Sequence, residues 1–109
     1  MPTICTEEYK RLISETSKAV CDYYTVEESL ISSKNITFKV VKARDMIFYI
    51  LHKNFQIPSS VIALSFNRGR RCVFYSCERI KHYIKIYADY RKEYRDIYSK
   101  VGDILNDNI

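Results

Sequence analysis

Glycine and proline are scarce in this 109-residue sequence, which contains two of each. Phosphate-binding loops of the G-x-x-x-x-G-K and G-x-G-x-x-G types need glycines at fixed offsets, and Gly69 stands alone, so neither loop is present. A hairpin-rich sandwich or barrel needs many more turn residues than the chain supplies. The composition therefore favours an all-α fold, and the length fits one domain, residues 1–109, with one modest core.

Long apolar runs and an export signal are also lacking. The longest apolar run, Met46–Leu51, is far shorter than the roughly 20 residues of a membrane-spanning helix. The N-terminus, Met1-Pro-Thr-Ile-Cys5, does not have the basic and then apolar pattern of a signal peptide. We therefore expect a cytoplasmic protein without membrane contact, in which four cysteines are reduced thiols: Cys5, Cys21, Cys72 and Cys77.

Patterns for metal binding and catalysis are weak. Cys72 and Cys77 are five residues apart, which on a helix separates their directions by about 140°. The two histidines, His52 and His82, are distant in the chain. Adjacent carboxylates occur only at 7–8 and 27–28, at predicted helix starts, where they balance the helix dipole. We therefore expect no metal site, no cofactor and no enzymatic activity.

Positive charge is in excess, and it is concentrated in one stretch. Lysine and arginine total 18 against 13 acidic residues, which gives a net charge of +5. Residues 66–85 contain six basic side chains and one acid, Glu78, so this stretch accounts for the whole excess. A basic patch on an otherwise neutral chain indicates binding to a polyanion such as nucleic acid, although a solvated basic helix face would have the same composition.

Hydrophobic periodicity predicts a bundle of about five helices. Long helices are predicted over residues 6–24 and 40–55, with Phe48 flanking the inward face of the second. Between them, Thr25-Val-Glu-Glu28 has the form of a capping box that opens a short helix, and the polar residues 33–37 are predicted to form a loop.

The segment after Pro58 has the pattern of a helix-turn-helix. Ser59 or Ser60 can cap a short helix, residues 67–69 can form a tight connection, and a second helix starts near Arg70. In this arrangement the second helix enters the major groove of DNA with its N-terminal end, although such helical hairpins also occur as plain core. Helical spacing turns Val73, Phe74, Cys77, Ile80 and Ile84 to the core, and Tyr75, Arg79 and His82 to DNA or solvent.

A stripe of apolar side chains follows, with alternating spacings of three and four, and predicts a helix that extends to about residue 105. The sequence is compatible with two ways of packing this stripe. The stripe either packs against the N-terminal helix of the same chain or forms a coiled-coil homodimer, and bulky, polar-tipped tyrosines disfavour an ideal parallel zipper. The stripe consists of Ile80, Tyr83, Tyr87, Tyr90, Tyr94, Ile97, Val101 and Ile104.

Four segments match the motifs of one known domain in order and spacing. They are Val20–Ser32, the helix that contains Lys42-Ala-Arg44 and Met46–Leu51, then Pro58–Phe66, and Val73–Ile80. Over residues 16–84 they resemble the C-terminal DNA-binding domain of the bacterial replication initiator DnaA, with its A-E-Y-Y … D-L-L-S, A-R … A-M-Y-L, S-L-P-E-I-G-x-x-F and V-L-H-A-x-x-K-I motifs. The resemblance implies an all-α domain in which a helix-turn-helix binds duplex DNA.

The chain departs from that domain's DNA-reading motif, R-D-H-[ST]-T-V. Arg68 and Val73 keep the outer positions, whereas Gly69 and Arg70 replace the Asp-His pair, and Arg71 and Cys72 replace the hydroxyl residues. Aspartate accepts a hydrogen bond from a base amino group, whereas arginine donates to guanine or phosphate, so the base preference must differ.

The resemblance also implies contacts outside this motif. The family's domain has a basic loop for the minor groove, which here contains only Lys34 and Lys39, and Lys42 and Arg44 match basic positions that face phosphate. The ATP-binding domain of full-length DnaA has no counterpart in a chain of 109 residues with two glycines, so we expect no nucleotide binding.

Together these observations predict a non-catalytic protein that binds double-stranded DNA and acts in replication control or transcription regulation, on chromosomal, phage or mobile DNA. The alternative is a protein–protein interaction module of the same fold, which has lost DNA binding and docks a partner with its tyrosine-lined C-terminal helix. The predicted DNA-binding residues are Arg68, Arg70, Arg71, Tyr75, Arg79, Ser59, Ser60, Lys42, Arg44 and Lys39.

Overall fold

The computed structural model describes residues 6–106, and every regular element in this range is helical, which confirms the predicted fold class. A π-helical turn, Ile50–Asn54, continues the third helix. Cys5 and the side chain of Ile104 lie outside the described residues. The α-helices are α1 (Thr6–Tyr24), α2 (Glu28–Ile31), α3 (Phe38–Tyr49), α4 (Ser59–Ser65), α5 (Arg70–Ile86) and α6 (Ala88–Asn106).

Helix α3 forms the centre of the core because α1, α2 and α5 all pack against it. Ile47, Phe48 and Leu51 are fully buried. Phe48 was expected at the edge of the inward face, but its ring lies 5.3 Å from that of Phe66, at the end of α4. The helix is therefore covered on more sides than its amphipathic pattern indicates.

The predicted capping box before α2 is wrong. Helix α2 begins at Glu28 without a side-chain cap, and Thr25 instead terminates α1 with a left-handed backbone at φ 57°. The N–H groups of Thr25 and Val26 donate to the carbonyls of Asp22 and Cys21, at 3.4 and 2.9 Å. These two bonds have the pattern of a Schellman motif, so Thr25 belongs to the end of one helix rather than to the start of the next.

The C-terminal stripe is divided between two helices. Tyr87 has an extended backbone, with φ −108° and ψ 120°, and separates α5 from α6. Arg91 Nη1 donates to the carbonyls of Ile84 and Lys85, at 3.0 and 3.2 Å, and so caps the end of α5 across the corner. No glycine or proline marks this break, which explains why helical spacing continued through it.

Helix α6 packs against α1 and α5 of the same chain. Ile97 and Val101 are fully buried, and Tyr24 Oη donates to Glu93 Oε1 at 2.7 Å. The predicted packing of the stripe within the chain is therefore confirmed for its α6 part, whereas Tyr87, at the corner before α6, is 51% exposed. Within residues 6–106, no helix combines the length and apolar character that crossing a membrane requires.

Candidate nucleic-acid interface

Helices α4 and α5 form a helix-turn-helix, as predicted. The buried side chains of Ile62, Ala63, Phe66 and Val73 hold the two helices together. The left-handed position of the turn is taken by Asn67, at φ 56°, a conformation that asparagine tolerates better than most residues. Gly69 has φ −84° and lies at the N-cap of α5, so the turn does not depend on a glycine in the left-handed region.

The start of α4 differs from the prediction that Ser59 or Ser60 caps it. Pro58 occupies the N-cap position, and the N–H groups of Val61 and Ile62 donate to its carbonyl at 3.0 and 3.2 Å. Both serines therefore lie inside the first turn of α4, with Ser59 half-buried and Ser60 exposed. In a helix-turn-helix this helix crosses the DNA backbone, and the predicted phosphate contacts of both serines stay a prediction.

The first two turns of α5 present four exposed side chains: Arg70, Arg71, Phe74 and Tyr75. Among the described residues, no side-chain hydrogen bond or ion pair holds either arginine. Both guanidinium groups therefore keep their donors for a ligand, at the end of the helix that a helix-turn-helix inserts into the major groove.

The expectation that Phe74 faces the core is wrong. Phe74 is 57% exposed, whereas Ser76, two residues later, is 1% exposed. Helix α5 turns Val73, Ser76 and Ile80 towards the interior, and Arg79 Nη2 donates to the buried Ser76 hydroxyl at 3.4 Å. The small serine therefore occupies an interior position, and the phenyl ring lies on the exposed surface.

Sequence reasoning missed one flank of α5. A groove of about 220 Å³ runs between α5 and the end of α3 with its π-helical turn, and reaches the first residue of α4. Its lining includes Lys53, Ser59, Phe74, Glu78 and Lys81. The available signals were the spacing of seven between Phe74 and Lys81 and the place of Lys53 in the last turn before Pro58. Two lysines against one glutamate give this flank a positive charge beside the exposed start of α5.

The comparison with protein families agrees with this geometry. The family model described as the bacterial DnaA protein helix-turn-helix matches residues 13–80. The chain belongs to this family. No curated protein matches the chain. The match contains α4 and α5 as far as Ile80, so α6 lies beyond the part that the DnaA helix-turn-helix family defines.

Arg44 does not occupy the phosphate-facing position that the DnaA resemblance implied. Its side chain is only 6% exposed, and it donates to the carbonyls of Leu30, Ile31, Ser33 and Asn35 at 2.8 to 3.2 Å. Burial, with a further contribution from a neighbouring arginine, lowers the pKa of this guanidinium. Arg44 therefore holds the loop between α2 and α3 and is corrected from a DNA contact to a structural residue.

Arg68, which keeps the arginine of the DnaA reading motif, is half-buried in the turn. Its Nη2 donates to the Ser33 carbonyl, which also accepts from Arg44. Its Nε is buried and has no hydrogen-bond partner among the described residues. Arg68 therefore attaches the turn to the α2–α3 loop, and its predicted DNA contact stays a prediction.

Lys42 is also engaged inside the chain. Its Nζ lies 2.8 Å from Glu93 Oε1 and 4.4 Å from the centre of the Tyr90 ring. With 16% of its side chain exposed, Lys42 joins α3 to α6, which leaves little of it for the predicted phosphate contact. Lys39, one turn earlier, is exposed.

Arg79 is both held in an ion pair within the chain and partly exposed to solvent. Its Nε and Nη2 donate to the two carboxylate oxygens of Asp45 at 3.0 Å each, and 46% of its side chain is exposed. The hydrogen bonds to Asp45 raise the pKa of Arg79. This bidentate pair ties α5 to α3 and leaves part of the guanidinium near the exposed face of α5.

The cysteine thiols within the described residues form neither a disulfide nor part of a metal-binding cluster. Cys21, Cys72 and Cys77 are free, and burial raises the pKa of Cys21 to about 11 and that of Cys77 to about 12. Both groups are therefore neutral at physiological pH. In the part of the chain that the structure describes, no three histidine, cysteine, aspartate or glutamate side chains lie together in a way that could hold a metal ion.

Proposed function

We propose that this chain is a non-catalytic DNA-binding protein that places the first two turns of α5 in the major groove of duplex DNA. The observation that carries the proposal is the joint exposure of Arg70, Arg71 and Tyr75 at the start of α5. An arginine there can donate to both acceptors of a guanine edge or to phosphate, and a tyrosine hydroxyl can donate or accept.

The flanks of the helix-turn-helix support this placement. Lys53, Ser59 and Lys81 line one groove beside α5, where they can hold one phosphate strand, and Ser60 is exposed next to Ser59. Lys39 is exposed in the first turn of α3. Phosphate contacts from these side chains would position the helix and supply most of the affinity, and contacts from the first turns of α5 would supply any sequence preference.

We propose that the chain acts in the cytoplasm, in replication control or transcription regulation of chromosomal, phage or mobile DNA, and without a bound nucleotide. Because the seam of α6 is buried within the chain, we propose that one copy binds one asymmetric site. Sedimentation of the complex would test this, and two copies bound across a palindrome would contradict it.

Selection from a random duplex pool at two salt concentrations tests the proposed function. We expect one motif to be enriched, with guanines opposite Arg70 or Arg71, and binding that weakens steeply with salt. Salt-sensitive binding without enrichment would reduce the proposal to an architectural role. Absence of duplex binding at low salt, with an intact helical spectrum, would overturn it and point to a protein partner at the exposed Tyr87 and Tyr98.

A further inference from the structure

Phe74 and Ser76 have exchanged the environments that their chemistry favours. A phenyl ring is among the side chains most often buried, and a serine is mostly exposed, yet Phe74 is 57% and Ser76 1% exposed. Both lie in the regular part of α5, the helix that packs against α3 and α4. Phe38 and Leu64 are more exposed still, so exposure alone does not mark a site. What distinguishes Phe74 is that its exposed ring lies on the helix that carries the arginines without a side-chain partner among the described residues.

The position of Phe74 indicates what that ligand is. It lies one turn after Arg70, and its ring centre is 5.8 Å from that of Tyr75. On its other side it lines the groove that contains Lys53 and Lys81. The ring is therefore placed between side chains suited to base edges and side chains suited to phosphate, with a local excess of positive charge. A site with these neighbouring side chains suits a nucleic acid better than the apolar surface of a protein partner.

Only one apolar group is displayed by base pairs in the major groove, the 5-methyl group of thymine. A phenyl ring has no hydrogen-bond donor or acceptor at its edge, so it cannot distinguish the polar groups of the other base edges. We propose that Phe74 contacts a thymine methyl group and sets a thymine preference at one position of the DNA site. This inference rests on the proposed function and adds the base that α5 selects besides guanine.

The test compares one DNA pool in two chemical forms. The pool selected by the wild-type protein is amplified once with thymidine triphosphate and once with deoxyuridine triphosphate. The two DNA products then differ only in the 5-methyl group of the pyrimidine that pairs with adenine. We expect the wild-type protein to bind the deoxyuridine form about fourfold more weakly, from the transfer free energy of one buried carbon. We expect Phe74→Ala to bind both forms equally and to match the weaker wild-type value.

Two further variants make the comparison specific. Ile86→Ala is the matched control, because Ile86 is 54% exposed, apolar and in the last turn of the same helix, away from the helix start. We expect it to discriminate between the two DNA forms as the wild-type protein does. Phe74→Leu retains an apolar contact and is expected to keep most of the discrimination. Thermal melting of each variant confirms that α5 is folded.

The outcomes separate this inference from the proposed function. If the wild-type protein binds duplex DNA but does not distinguish the two forms, the thymine contact is wrong and the proposed function stands. If Phe74→Ala still prefers the thymidine form, another residue makes the contact and the assignment to Phe74 is wrong. If a folded wild-type protein binds no duplex at low salt, the proposed function is overturned, and this inference with it.

Discussion

Arginines in the first turn of α5 and arginines beside the α2–α3 loop differ in what surrounds them. Arg70 and Arg71 are exposed and have no side-chain partner among the described residues. Arg44 and Arg68 donate to loop carbonyls, and both reach the carbonyl of Ser33. From the sequence all four belong to one candidate interface, but only the first pair is exposed and free of side-chain partners among the described residues.

The difference is explained by the acceptors that lie within reach. Residues 30–35 are mostly irregular, and their carbonyls need donors that no helix supplies. A guanidinium offers five N–H donors in a plane, so Arg44 can satisfy several carbonyls at once. The loop in turn fixes Arg68 and thereby the turn between α4 and α5. The engaged arginines therefore hold the scaffold in place, and the unengaged ones are left for a ligand.

The largest effect on stability is expected from Arg44→Ala. The change removes the donor of four backbone hydrogen bonds at a site that is 6% exposed, so the free energy of unfolding should fall by about 3 kcal/mol. Urea denaturation followed by circular dichroism measures this. Arg70→Ala is the matched control and should change the free energy of unfolding by less than about 0.5 kcal/mol. Equal stability of the two variants would contradict the distinction between structural arginines beside the α2–α3 loop and unpaired arginines at the start of α5.

The largest effect on DNA binding is expected from the double substitution Arg70→Ala and Arg71→Ala. Loss of two direct contacts should weaken duplex binding about a hundredfold, and the slope of log K against log salt should decrease by about 0.9 for each lost phosphate contact. Fluorescence anisotropy with the selected duplex at several salt concentrations measures both. The melting temperature should not change. If binding is unchanged, the first turn of α5 is not the DNA-contacting element.

Helix positions were largely predictable because they depend on local periodicity. The bounds of α1 and the start of α5 at Arg70 agree with the prediction. The failures involve contacts that are distant in the chain. The acceptors of Arg44 come from a preceding loop, and the exposure of Phe74 depends on how α5 is rotated against α3. Neither the loop path nor this rotation leaves a signal in the spacing of apolar residues.

Asp45→Asn is expected to convert a tied arginine into an available one. The substitution removes the charge that holds the Arg79 guanidinium in a bidentate pair at 3.0 Å. The free energy of unfolding should fall by about 1 kcal/mol, whereas duplex binding should strengthen about threefold, because one more cation can approach phosphate. Denaturation and anisotropy on the same preparation measure the two changes. A variant in which stability and binding fall together would show that Arg79 serves DNA binding only through the fold.

The smallest effects should separate Lys39 from Lys42, two lysines of the first turns of α3. Lys39 is exposed, so Lys39→Ala should weaken duplex binding about twofold to threefold at low salt and leave the free energy of unfolding unchanged. Lys42 is paired with Glu93 at 2.8 Å with 16% of its side chain exposed, so Lys42→Ala should lower the free energy of unfolding by about 1 kcal/mol and leave binding unchanged. If both substitutions weaken binding to the same extent, the Lys42–Glu93 pair opens in the complex. In that case the contacts of a lysine in the free protein would not determine whether it can bind phosphate in the complex.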